Sequence, residues 1–151
     1  MKAKRWIMIA SLVLVLVVNG LANILPINGL TTGEVSDDFP ILFVPAGYVF
    51  SIWGLIYLAL IAFAIYIVTP RGRENEKIDS IAWWFVAANI FNSAWVFLWH
   101  YLQFPLTLIA IVGLLVSLIA IFLKLGIGVE QQPLLERLVV AATFSIYLGW
   151  A

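Results

Sequence analysis

Residues Tyr48–Val68 read YVFSIWGLIYLALIAFAIYIV, an unbroken run without a charged side chain. A helix rises about 1.5 Å per residue and the hydrocarbon layer is about 30 Å thick, so about 20 such residues cross a bilayer. This run is long and apolar enough to do so. The rest of the chain has the same character: 64% of its 151 residues are apolar, 11% are charged, and the mean hydropathy is +1.09. Soluble domains are nearer about 45–50% apolar and about 25% charged. A water-soluble globular domain and a disordered chain are therefore both excluded. Eight basic and eight acidic side chains cancel, which leaves no basic face for nucleic acid. The absence of cysteine removes disulfides, thiolate metal sites and cysteine nucleophiles together.

Outward from this run, the same criterion finds Trp6–Leu25, Ile81–Leu102, Pro105–Leu125 and a shorter Leu138–Ala151. The expectation is an all-α membrane protein, a single domain over residues 1–151 with five transmembrane helices. The last run is too short for a full crossing and is expected to stop inside its span. A cleaved leader would share the basic Met1–Arg5 and apolar Trp6–Val18 segments, but the apolar stretch continues through Leu25, longer than a usual leader core. Basic residues near span ends set orientation. Lys2, Lys4 and Arg5 precede the first span; Arg71, Arg73 and Lys77 follow the second; Lys124 and Arg137 flank the connection after the fourth. The first loop, Asn28–Phe43, has no Lys or Arg and carries Glu34, Asp37 and Asp38, while the third loop is uncharged. That alternation predicts an N-terminus inside.

Polar groups within hydrocarbon are costly and mark either helix packing or a site. Asn19 and Asn23 share a face of the first span, suited to interhelical hydrogen bonds or to the polar wall of a cavity. Phe50, Trp53 and Tyr57 follow i, i+3 and i+7 spacing, beside the small Gly47, Ser51 and Gly54. Asn92, Trp95 and Trp99 repeat that spacing on the third span. Two such stripes on neighbouring helices would enclose a flat, apolar, π-rich ligand, with an amide and indole N–H groups to orient it. An ordinary packed core would use the same residues. Gly113 and Ser117 form a small-xxx-small packing patch. Leu60, Tyr66 and Arg71 fit the loose cholesterol-contact pattern. His100, the one histidine, has no second His or Cys for a metal site, so it is expected to be solvated or bonded to backbone.

The Pro45, Phe50, Trp53 and Tyr57 segment, the Asn92-Ser93-Ala94-Trp95 run and Phe144–Trp150 resemble the TspO/MBR family. That family comprises the tryptophan-rich sensory proteins and the translocator protein, and its hallmark is W-x-P-P-x-W-V-F-x-x-V-W-x-x-L-Y. Here Ala46 replaces the second proline, Phe50 and Trp53 are one residue closer, and Gly149 stands where the family often has Asn. The chain is more similar to a divergent bacterial branch with P-A-G-Y-V-F-S-I-W-G-L-I-Y. The resemblance implies a five-helix bundle in the bacterial cell membrane, a possible homodimer, and a porphyrin or other tetrapyrrole as possible ligand. No further cofactor is expected. Trp53, Asn92 and Trp95 are the pocket residues the family motifs support; Phe50, Tyr57, Trp99 and Tyr147 join them by helical face.

Three functions follow as alternatives. The first is a sensor or transporter-like receptor for a flat hydrophobic ligand; the second is an assembly subunit without a small ligand. The third is an enzyme of porphyrin photo-degradation, for which no acid, base or metal set is visible. The apolar Ile41–Val44 stretch in a loop without basic residues predicts a lid over Phe39–Pro45, closing the outer mouth with Asp37 and Asp38 exposed.

Overall fold

The computed structural model describes residues 2–25, 27–37 and 47–151, with Gly47 and Phe50 described by their backbone only. The expected lid segment, Phe39–Pro45, lies outside the described residues. Helix α1 spans Ala3–Ile24, and a short α2 spans Thr32–Asp37. A 3-10 turn over Gly47–Ser51 leads into α3, Ile52–Val68. Helix α4, Pro70–Glu74, is one turn; α5 runs Glu76–His100 and α6 Phe104–Lys124. The last helical stretch joins α7, Leu134–Glu136, through a π turn at Arg137–Ala141 to α8, Ala142–Trp150.

Three helices, α1, α5 and α6, are long and apolar enough to cross a membrane by length and composition; α3 is as apolar but shorter. Packing is pairwise around a ring. Helix α1 lies on α5, α5 on α6, α6 on α8, α8 on α3, and α3 closes back on α1. The closing α1–α3 contact is the thinnest of the five. Within the ring, Phe63 of α3, Phe85 of α5 and Phe144 of α8 pack with centroids 5.1–6.1 Å apart.

The burial pattern departs from a soluble protein's on the outside, and polar groups join the apolar core within. Large apolar side chains such as Val13, Leu58, Leu108 and Ile109 point outward, more than half exposed. Asn19, Asn89, Asn92, Ser117 and Thr143 are buried. Their hydrogen bonds stay inside the bundle: Asn89 Nδ2 donates to Ser11 Oγ at 2.9 Å, and Ser117 and Thr143 donate to carbonyls one turn back on their own helices. Lipid outside and polar groups inside is the arrangement hydrocarbon demands. Gly113 of the small-residue patch has its reason here, since a Cβ would run into the Phe91 ring of α5. Leu60 and Tyr66 are interior; Tyr66 donates to Glu136. The cholesterol-contact pattern thus presents no lipid-facing surface at these two residues.

The element boundaries depart from the apolar runs in a consistent way. Helix α5 begins five residues before Ile81, inside the polar connection, because Asn75 caps it by accepting from Lys77 N. Thr69 does the same for α4, accepting from Gly72 N with Pro70 in the first turn. In the first loop, α2 was not expected. Thr31 Oγ1 accepts from Glu34 N, and the Glu34 carboxylate accepts from Thr31 N at 2.7 Å, a reciprocal capping box. That bond to the Thr31 backbone holds the Glu34 carboxyl below its ordinary range.

The end of the bundle that carries the basic residues is tied by Arg5, which is 1% exposed. Its guanidinium donates to Asp79 Oδ1 at 2.9 Å, to Gly72 O at 2.6 Å and to Asn75 O at 3.1 Å. One side chain of α1 thereby fixes α4 and the start of α5. Lys2 adds a second ion pair to Asp79, and Lys77 pairs with Glu130 across to the α6–α7 connection.

Candidate ligand cavity

At the opposite end the thin α1–α3 contact leaves a cavity of about 640 Å³. One wall is aromatic. Trp53 stacks on Tyr57 one turn further along α3, centroids 5.8 Å apart and planes 22° from parallel. Trp95 enters from α5 and is itself stacked on Trp99, 5.4 Å away and 15° from parallel. The edge of Trp53 is set by Tyr147 and Trp150 of α8, both in edge-to-face contact. Such contacts hold an indole in one orientation, and each contributes about 0.5–1.5 kcal/mol beyond burial.

The facing wall is α1, with Leu16, Asn19, Gly20 and Asn23. A Cβ placed on Gly20, or on Gly54 of α3, meets no atom within 4 Å. Both glycines therefore border open space. Behind this wall runs a polar chain. Asn23 Nδ2 donates to Asn19 O, Asn19 Nδ2 to Asn92 Oδ1 at 2.8 Å, and Asn92 Nδ2 to Tyr147 Oη at 2.9 Å. It links α1, α5 and α8 beside the cavity and fixes which atoms of Asn19 remain available to it.

The described part of the first loop forms a roof. Thr31, Thr32, Gly33 and Asp37 line the cavity from above. Val35 is fully buried and anchors α2. The outer end of α5 latches this roof. Trp99 Nε1 donates to Thr32 O at 3.2 Å, and Asn28 Nδ2 donates to His100 O at 3.1 Å. His100 is buried, and its Nδ1–H donates to Val96 O at 2.7 Å. Its Nε2 faces the Thr32 hydroxyl, 3.4 Å away. The histidine is thus backbone-bonded, one of the two expected states, and holds the roof in place.

Of the residues read from the sequence, Trp53, Tyr57 and Trp95 meet on the cavity surface. Asn92, Tyr147 and Trp99 stand one layer behind, orienting Asn19, Trp53 and Trp95 respectively. The side chain of Phe50 lies outside the described residues. The α1 wall and the α2 roof had weaker signals: Asn19 and Asn23 suit helix packing as well as a cavity wall, and a Thr31-x-x-Glu34 spacing marks a helix start without saying what it covers.

The family model for the TSPO-like protein matches residues 5–151. The chain belongs to the TSPO-like family. The match covers every residue named at the cavity, the aromatic wall and the polar chain, so these belong to the TSPO-like part of the chain. With its apolar helices, this TSPO-like chain is an integral membrane protein. No curated protein and no solved structure matches it.

Proposed function

We propose that this TSPO-like protein is a membrane receptor, acting as sensor or transporter, that holds a flat, largely apolar ligand such as a tetrapyrrole between α1 and α3. The observation that carries this reading is the cavity itself: about 640 Å³, within the roughly 300–1,000 Å³ of small-molecule sites, with stacked aromatic planes on one side and amides on the other. A ring system sliding between them would bury both of its faces and find hydrogen-bonding groups only along the Asn19 and Asn23 edge. Membrane crossing by all five long helical segments, with the N-terminus inside, completes the reading. It is supported by the sorting of basic residues to one end of the bundle.

The test is a titration of the purified protein with protoporphyrin, followed by quenching of intrinsic tryptophan fluorescence. Quenching should saturate. Trp95→Ala should weaken it about fivefold to tenfold, the loss of one stacking partner being worth about 1 kcal/mol. Gly20→Leu, which fills the void and improves helix propensity, should abolish it without loss of thermal stability. Quenching that never saturates, or that is indifferent to Gly20→Leu, overturns the proposal.

A further inference from the structure

The charges of the chain are sorted by end. All eight Lys and Arg belong to the start of α1, the α3–α5 connection, the first turn of α5, the end of α6 or the start of the last helical stretch. The α1–α3 connection contains Glu34, Asp37 and Asp38 and not one Lys or Arg. Asp37 closes α2 and lines the cavity mouth, exposed and without an ion-pair partner among the described residues. A carboxylate at a helix C-terminus also lies at the negative end of the peptide dipoles, so the position gains from a nearby cation.

Deeper in, Asn19 is nine-tenths buried. Its Nδ2 is taken by Val15 O and Asn92 Oδ1, while Oδ1 receives no hydrogen bond from a described residue. A carbonyl oxygen can only accept, so it waits for a donor. Trp53, Tyr57 and Trp95 line the same cavity, and aromatic rings attract positive charge over their faces. Carboxylate, bare carbonyl and aromatic rings all favour a cation, and no cationic side chain is among the described residues that line the cavity.

We infer that, among flat aromatic ligands, the cavity selects those bearing a protonated amine or ring nitrogen over those bearing carboxylates. The inference rests on the reading of the cavity as a ligand site and specifies the charge of what enters it. A tetrapyrrole would bind better with its acid groups esterified than free.

Three tricyclic probes of similar shape test it: 9-aminoacridinium, neutral anthracene-9-methanol and anthracene-9-carboxylate, each titrated in neutral detergent against tryptophan fluorescence. The cation should bind at least about fivefold more tightly than the carboxylate, the scale of one partly solvated charge pair, and added salt should narrow the gap. Asp37→Asn should remove most of that advantage, weakening the cation far more than the neutral probe. Carboxylate binding as tight as the cation's, or an Asp37→Asn loss equal for all three probes, overturns the inference. Gly20→Leu separates the two levels. If all three probes bind, are blocked by Gly20→Leu and rank without regard to charge, the selectivity fails while the site stands. If none saturates, the site itself fails.

Discussion

Gly72 shows how much a single residue settles in this bundle. It is buried in α4, its carbonyl accepts from Arg5, and a Cβ there would collide with the backbone carbonyl of Tyr66. Backbone cannot step aside as a side chain does, so Gly72→Ala should cost about 3 kcal/mol, the upper end of overpacking penalties. Gly149→Ala, where a Cβ meets nothing, should be neutral. Thermal unfolding in detergent compares them, and equal midpoints would refute the argument. The sequence shows Gly72 only as one glycine in a polar run. Residue-level legibility was uneven for the same reason at the cavity. Helical spacing told correctly that Trp95 and Trp99 share a stripe. It could not tell that Trp95 faces a void while Trp99 faces Trp95 and the Thr32 carbonyl, because that depends on where α1 and α2 lie.

At the scale of elements, the long helices were legible because apolar runs of that length have few alternatives in or out of a membrane. Their ends were not, since caps such as Asn75 and Thr69 act within polar segments where hydropathy is silent. The tie between α1 and α5 carries a pH dependence. The hydrogen bond from Arg5 and the ion pair with Lys2 hold the Asp79 carboxyl below its ordinary range, about 3.9 in an unfolded chain. A carboxyl depressed on folding contributes stability that is complete above the unfolded value and is lost as pH falls through the folded one. Thermal stability should therefore hold from neutrality to about pH 5 and decline below about pH 4. Asp79→Asn should cost about 2–4 kcal/mol at neutral pH, since it leaves the Arg5 guanidinium buried with one fewer partner, and should flatten the acid decline. An acid decline unchanged in Asp79→Asn would assign it to other carboxylates.

For the whole molecule, the two ends differ in kind: one is knitted by ion pairs and the other roofed by a capped helix over a cavity. Charge sorting makes the orientation testable in a chain with no native cysteine. Arg73→Cys and Gln103→Cys place exposed thiols at opposite ends. In intact cells a membrane-impermeant maleimide should label Gln103→Cys and spare Arg73→Cys; the opposite pattern would invert the proposed topology. That the basic residues gather at one end of the bundle was legible in the sequence, whereas the cavity was not. A void arises where two helices fail to touch, and no residue pattern within either helix records the other's distance.

The ring order also differs from the chain order. Of the five ring helices α3 is made second, yet its main neighbour in the ring, α8, follows the other four. Until α8 arrives, α3 is held by its short connection to α5 and by the thinnest contact in the bundle. Trp53 meanwhile lacks both Tyr147 and Trp150, the two rings that fix its edge. Helix α1 gains its main partner as soon as α5 follows, and α5 and α6 each pair with a helix already made. A nascent chain therefore assembles three-fifths of its ring before its aromatic wall has an orientation, and the cavity matures only once α8 has joined.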